Sequence, residues 1–172
     1  MIILGIDPGV ARVGYGVLEA NGDRIVASSH GCIETAKTEM HGNRLVAVRQ
    51  GMEALINRYN PAVIGLEKLF FEKNVKTALS VSEARGVLLL VAAERKIPVI
   101  EMTPLQVKQS ITGNGRADKR QMQEMVKILL KLSVIPKPDD AADALAIAMT
   151  CLRLSRSDLR GPTSEVGPRK QG

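Results

Sequence analysis

The sequence predicts an α/β fold: a mixed five-stranded sheet, made of a three-strand antiparallel meander plus two parallel strands, flanked by helices. Three observations predict it. Strand-like segments separated by turn residues crowd the N-terminus, amphipathic helical runs then alternate with short apolar strands, and the composition fits one compact body. The chain has 172 residues, of which 45% are hydrophobic and 24% charged. That balance excludes a disordered chain and leaves no room for a two-domain enzyme. One folded domain is expected over residues 1–153, followed by a basic tail over 154–172 whose Pro, Gly and Ser content predicts disorder.

Residues 2–6 are an apolar run stopped by Asp7-Pro8-Gly9. Segments 12–19 and 24–34 follow as strands separated by Asn21-Gly22-Asp23, where Asn and Gly both tolerate the positive φ of a tight hairpin turn. From about 42 to 58, Leu45, Val48, Met52, Leu55, Ile56 and Tyr59 recur at helical spacing, with Arg44, Arg49, Gln50 and Glu53 between them. This helix ends near Asn60-Pro61, and Ala62 to Glu67 is a fourth strand, apolar enough for burial on both faces. Residues 74–96 read as a long helix, apolar on every side from Val87 to Ala93, so a subunit interface is expected to cover the surplus. Val99 to Glu101 is a fifth, brief strand, then come a short helix over 104–111 and the loop Gly113-Asn114-Gly115-Arg116. The helix over 118–132 turns Met122, Met125, Val126, Leu129 and Leu130 inward and Lys119, Arg120, Lys127 and Lys131 outward. The last helix starts at Asp139 or Asp140 and runs to about Arg153.

Lys and Arg number 24 against 18 Asp and Glu, a formal charge of +6 that favours polyanionic partners. Two distant cysteines and two histidines, none at metal-ligand spacing, point neither to zinc nor to a disulfide framework. Met1 leads straight into Ile2-Ile3-Leu4 with no basic leader, and no apolar run approaches the ~20 residues of a membrane helix, so the expected compartment is the cytoplasm.

Chemistry is carried by carboxylates. Asp7 and Glu67 each close an apolar strand, and on neighbouring parallel strands they converge at the carboxyl end of the sheet. Either alone also reads as an acid that opens a loop. Asp140 and Asp143 lie three apart, on one helix face. Asp140 has an ordinary explanation as a helix-starting acid, whereas Asp143 sits among alanines and leucine, where an acid needs a reason. Four gathered carboxylates repel unless cations intervene, and oxygen-only ligands select hard ions, Mg²⁺ with Mn²⁺ as a substitute. Two such ions roughly 3.5–4 Å apart suit in-line phosphodiester hydrolysis.

Gly5-Ile6-Asp7-Pro8-Gly9, Gly14-Tyr15-Gly16, Glu67-Lys68-Leu69-Phe70, Ala84-Arg85-Gly86, Gln106-Val107-Lys108-Gln109 and Asp140-Ala141-Ala142-Asp143-Ala144-Leu145-Ala146 together resemble the RuvC family of bacterial Holliday-junction endonucleases, collinearly over residues 2–153. The resemblance implies a ribonuclease-H-like fold, a homodimer, and paired, symmetrical nicks at a four-way DNA junction in recombination and repair. It places Asp7, Glu67, Asp140 and Asp143 at the family's metal-binding acids, with two Mg²⁺ ions per subunit. It also implies partnership with the branch-migration proteins RuvA and RuvB. Asp139, at i,i+4 from Asp143, is an alternative to Asp140 by spacing alone; the family spacing selects Asp140 and leaves Asp139 a cap or a supporting group.

Phe70 and Phe71, the only two Phe, directly follow this strand. The family match assigns Phe70 to base stacking and leaves Phe71 to the core or the dimer. The match also puts Lys108 and Lys119 near the scissile phosphate, Lys119 among the catalytic residues, with Arg116 and Arg120 as local additions and Lys76 and Arg85 as further DNA contacts. Competing readings are an ATP site of the actin and sugar-kinase class, which needs a second domain, a catalytically silent junction-binding module, and a pre-rRNA-processing relative.

Overall fold

The computed structural model describes residues 1–68 and 75–159, with the side chains of 75–77 and 157–159 left out of the description. The predicted order of elements is present. Strands β1 (Ile2–Asp7), β2 (Arg12–Asn21) and β3 (Arg24–Glu34) precede helix α1 (His41–Tyr59), β4 (Val63–Glu67), α2 (Val75–Glu94) and β5 (Val99–Met102). Helices α3 (Pro104–Thr112), α4 (Lys119–Leu129) and α5 (Asp139–Leu159) complete the chain. The sheet order is β3-β2-β1-β4-β5, antiparallel through the meander and parallel across β1, β4 and β5.

Strand alternation sorts the side chains between two cores. Leu4 and Ile6 of β1, Val17 of β2, and Ile64 and Leu66 of β4 face α1 and α2, where Val48, Met52, Leu88 and Val91 cover them. Ile3, Leu18 and Val63 face the other way, toward Leu145, Ile147 and Leu152 of α5 with Val107 of α3 and Val126 of α4. By the same alternation Gly5 and Asp7, Gly14 and Gly16, and Gly65 and Glu67 belong to the α5 side. The acids therefore share a face with a row of glycines.

Those glycines set how close α5 can lie. A Cβ on Gly5 would stand 2.2 Å from the Ala144 carbonyl oxygen, one on Gly14 2.2 Å from the Asp140 carbonyl oxygen, and one on Gly65 2.7 Å from Cys151 Cβ. Ala141, Ala144 and Ala148 keep the helix side of this contact equally thin and are fully buried.

The structure differs from the sequence reading in four places. The hairpin turn sits one residue later, because Asn21 still pairs with Arg24; only Gly22, at the first central position, takes positive φ. Helix α4 stops at Leu129, where Leu130 caps it and Lys131 turns left-handed, so Leu129 is exposed at the helix end while Leu130 is buried. Gln123, which is not among the residues expected to turn inward, is buried beside Met122 and Val126. Helix α5 runs past Arg153 to Leu159, taking in the first part of the segment read as a tail; residues 160–172 lie outside the described residues.

Gly5→Ala should destabilise the protein by about 3 kcal/mol or more, since backbone of α5 rather than a flexible side chain must move. Gly42→Ala, which meets nothing within 4 Å, should be neutral or slightly stabilising. Thermal or urea denaturation of the two variants checks this, and equal destabilisation would remove the close helix–sheet contact as the explanation.

Candidate active site

Asp7 and Glu67 end two strands that pair in parallel with Ile6 opposite Leu66, so both carboxylates leave the same edge of the sheet on the same face. Asp7 in turn lies opposite Gly14 of β2, and Gly14 is the residue that lets the Asp140 backbone rest on the sheet. The first turn of α5 is thereby laid beside Asp7, which brings Asp140 and Asp143 to the strand ends. A role that the sequence reading does not assign is that of Gly14; glycines alternating at period two along strands are the signal that points to it.

Asp7, Glu67 and Asp143 line one cleft of about 220 Å³ together with Lys108 and Lys119, over an apolar floor that includes Val107 and Ile147. Lys108 comes from α3, whose start is fixed by a capping box between Thr103 and Gln106. Lys119 is the first residue of α4, whose start is fixed by a second capping box between Asp118 and Gln121. Asp140, expected in the same pocket, instead lines the neighbouring cleft of about 700 Å³ with Arg12 and Arg44.

The carboxylates feel one another strongly. Burial, followed by the charges of Glu67, Asp143 and Asp140, holds the Asp7 carboxyl well above the usual carboxylate range. Burial and then Asp143 push Glu67 up to about 7, with Lys108 opposing. Burial raises Asp143 as well, against the pull of Lys119. Neither Asp7 nor Glu67 accepts a hydrogen bond on its carboxylate from a described residue, and the charges of Lys119 and Lys108 offset their raised proton affinity only in part. No three acidic, His or Cys side chains among the described residues converge into a ready-made cation cage. The donor set fits a hard divalent cation, because it is all oxygen, Asp7 and Glu67 accept no hydrogen bond on their carboxylates from a described residue, and the acids raise one another's affinity for positive charge.

The basic residues divide into groups. Lys119 Nζ lies 3.3 Å from Asp139 and 3.7 Å from Asp143. Arg116 and Arg120 are exposed on the loop and at the start of α4, and neither forms an ion pair with a described residue. Arg85, expected as a DNA contact, is an internal tie: its guanidinium is 2.8 Å from Glu101 of β5 and donates to the Glu67 carbonyl at 3.4 Å. Phe70 and Phe71 lie outside the described residues, as does the side chain of Lys76.

Residues 3–151 match the family model described as crossover junction endodeoxyribonuclease RuvC. A crossover junction endodeoxyribonuclease RuvC of Caldicellulosiruptor saccharolyticus is 50% identical over 167 residues, covering 96% of this chain and all of that one. Another, from Desulforamulus reducens, is 53% identical over 149 residues, covering 87% of this chain and 91% of that one. Among solved structures, Thermus thermophilus RuvC in complex with a Holliday junction substrate superimposes with a TM-score of 0.86 at 32% identity, covering 92% of this chain and 96% of that one.

A carboxyl whose pKa is higher folded than unfolded binds more protons in the folded state, so stability falls as pH rises between the two values. For Glu67 that window runs from 4.5 to about 7. In EDTA the protein should lose stability across it, on the order of 2–3 kcal/mol from this group, and Mg²⁺ should raise Tm more at pH 8 than at pH 5. Calorimetry across pH for wild type and Glu67→Gln checks this: the variant should show a flatter pH slope and a smaller gain from Mg²⁺.

Proposed function

The chain belongs to the RuvC family of crossover junction endodeoxyribonucleases, and from that premise we propose that it resolves four-way DNA junctions by paired, symmetrical nicks in recombination and repair. The observation that carries the reading is the convergence of Asp7, Glu67 and Asp143 with Lys108 and Lys119 in one cleft at the carboxyl end of the sheet, with Asp140 at its margin. The family is metal-dependent, and Asp7, Glu67, Asp140 and Asp143 are the residues that would hold two Mg²⁺ ions, with Mn²⁺ as a substitute. Bound there, the ions supply Lewis-acid activation of water and charge neutralisation at the phosphate.

The chain's own residues do the rest. Lys108 and Lys119 give the cleft a cationic rim, where a phosphodiester can seat against two ammonium groups. Lys119 Nζ, presented by the rigid start of α4, is placed to balance negative charge as it builds on the non-bridging oxygens. A water–phosphorus bond forms and the bond to the 3′ oxygen breaks, which leaves a 5′-phosphate and a 3′-hydroxyl. The apolar floor of Val107 and Ile147 keeps bulk water from one side of the cleft. Arg116 and Arg120 extend the basic surface beyond Lys119 toward a DNA arm. Phe70, three residues past Glu67 in the sequence, is assigned to stacking on an unpaired base.

One cleft makes one cut, so the two-fold symmetry of a junction calls for two copies. Helix α2 supports a homodimer. Leu79, Gly86 and Leu90 follow one another at spacings of seven and four on its outward face; Leu79 is 67% and Leu90 54% exposed, and a Cβ at Gly86 would meet nothing. An apolar stripe with a glycine at its centre suits close approach of a second helix. RuvA and RuvB are assigned as partners through the family, and the cytoplasm as the compartment; no helix among the described residues is long and apolar enough to cross a membrane.

Cleavage of a labelled mobile four-way DNA junction in Mg²⁺, Mn²⁺ or Ca²⁺ tests the reading. Symmetrical nicks are expected with Mg²⁺ and Mn²⁺, and Asp143→Asn should bind the junction as tightly as wild type while nicking falls at least a hundredfold. If Asp143→Asn still cuts, the site is wrongly assigned; cutting of RNA but not of the junction would favour an RNA-processing role. For the interface, Leu90→Glu should convert the dimer to a monomer by light scattering and uncouple the two cuts.

A further inference from the structure

Lys119 sits between two carboxylates with different duties. Asp139 and Asp143 are four residues apart on α5, hence on one face of the helix, and the Lys119 ammonium spans them at 3.3 and 3.7 Å. Asp143 is needed in the cleft, where it couples to Asp7, Glu67 and Asp140. Asp139 is outside it: it does not line the cleft, and it also accepts a hydrogen bond from Lys137 at 2.9 Å. An ammonium whose one anchor was Asp143 would compete with a divalent cation for the same oxygens. A second carboxylate one turn earlier removes that competition, because Lys119 can stay at the rim while Asp143 turns to the cation.

We propose that Asp139 is a positioning residue that holds Lys119 at the rim of the cleft when Asp143 is engaged by a divalent cation. The inference rests on Asp143 being a metal ligand and on Lys119 facing the phosphate. Both ends of the Asp139–Lys119 pair are about half exposed, at 42% and 56%, so the effect is modest. Pairs of this kind shift an equilibrium by about two- to fivefold.

The test is a double-mutant cycle on the full-length protein, read by calorimetric titration with Mn²⁺ in the absence of DNA and by single-turnover nicking of a four-way junction in saturating Mg²⁺. Asp139→Asn should weaken Mn²⁺ binding and slow nicking, each about two- to fivefold, with junction affinity in Ca²⁺ unchanged. Asp139→Glu should restore both. In a Lys119→Ala background, Asp139→Asn should change neither. Equal losses in the two backgrounds would mean that Asp139 acts only as a distant negative charge, and would overturn the proposal. A wild-type protein that binds no Mn²⁺ would instead overturn the metal-site reading beneath it.

Discussion

The contact between α5 and the sheet is the constraint on which the rest depends. At Gly5, Gly14 and Gly65 there is no space for even a methyl group between strand and helix. Because the helix rests on bare backbone, its first turn reaches the strand ends instead of riding a side-chain layer above them. Had β1 and β2 carried branched aliphatic residues at these positions, as they do on the other face, Asp140 and Asp143 would stand off from Asp7. The fully buried alanines of α5 complete the contact from the helix side.

That closeness has an electrostatic cost and a use. The two cores fix the strands and α5 through apolar packing, so the carboxylates cannot relieve their repulsion by backbone movement. Burial, the larger cause, and this repulsion together raise the affinity of Asp7, Glu67 and Asp143 for protons. A divalent cation held there, as proposed, would offer twice the charge of a proton and relieve the repulsion that the scaffold keeps in place.

Much of this was legible from the residues alone, and what was not has a common cause. Asp7 and Glu67 stood out because each is the one acid in an apolar strand, and Asp143 because alanines surround it; both are one-dimensional patterns. The antiparallel meander and the two parallel strands with their helical crossovers were readable in the same way. The partners of Arg85, Glu101 and the Glu67 carbonyl, could not be read from the chain, because they are distant in sequence and near only across β4 and β5. The side on which Asp140 opens was invisible for a similar reason, since residues three apart on a helix share a face yet can border different clefts. The Gly22 turn and the early end of α4 were missed by a single residue or one turn, where local backbone conformation decides.

Arg85 connects the cleft to the helix whose outer face is proposed as the dimer interface. It lies on α2, the helix whose opposite face carries Leu79, Gly86 and Leu90, and it reaches inward to the end of β4, one residue group from the Glu67 carboxylate. The ion pair with Glu101 is less exposed than the other ion pairs of the described residues and spans two elements, so it resists the loosening that makes surface pairs weak. A helix that faces a second copy, as proposed above, and also holds the end of β4 would fix each cleft relative to the interface. For a substrate with two equivalent scissile phosphates, a fixed distance and orientation between two clefts would make the two cuts symmetrical.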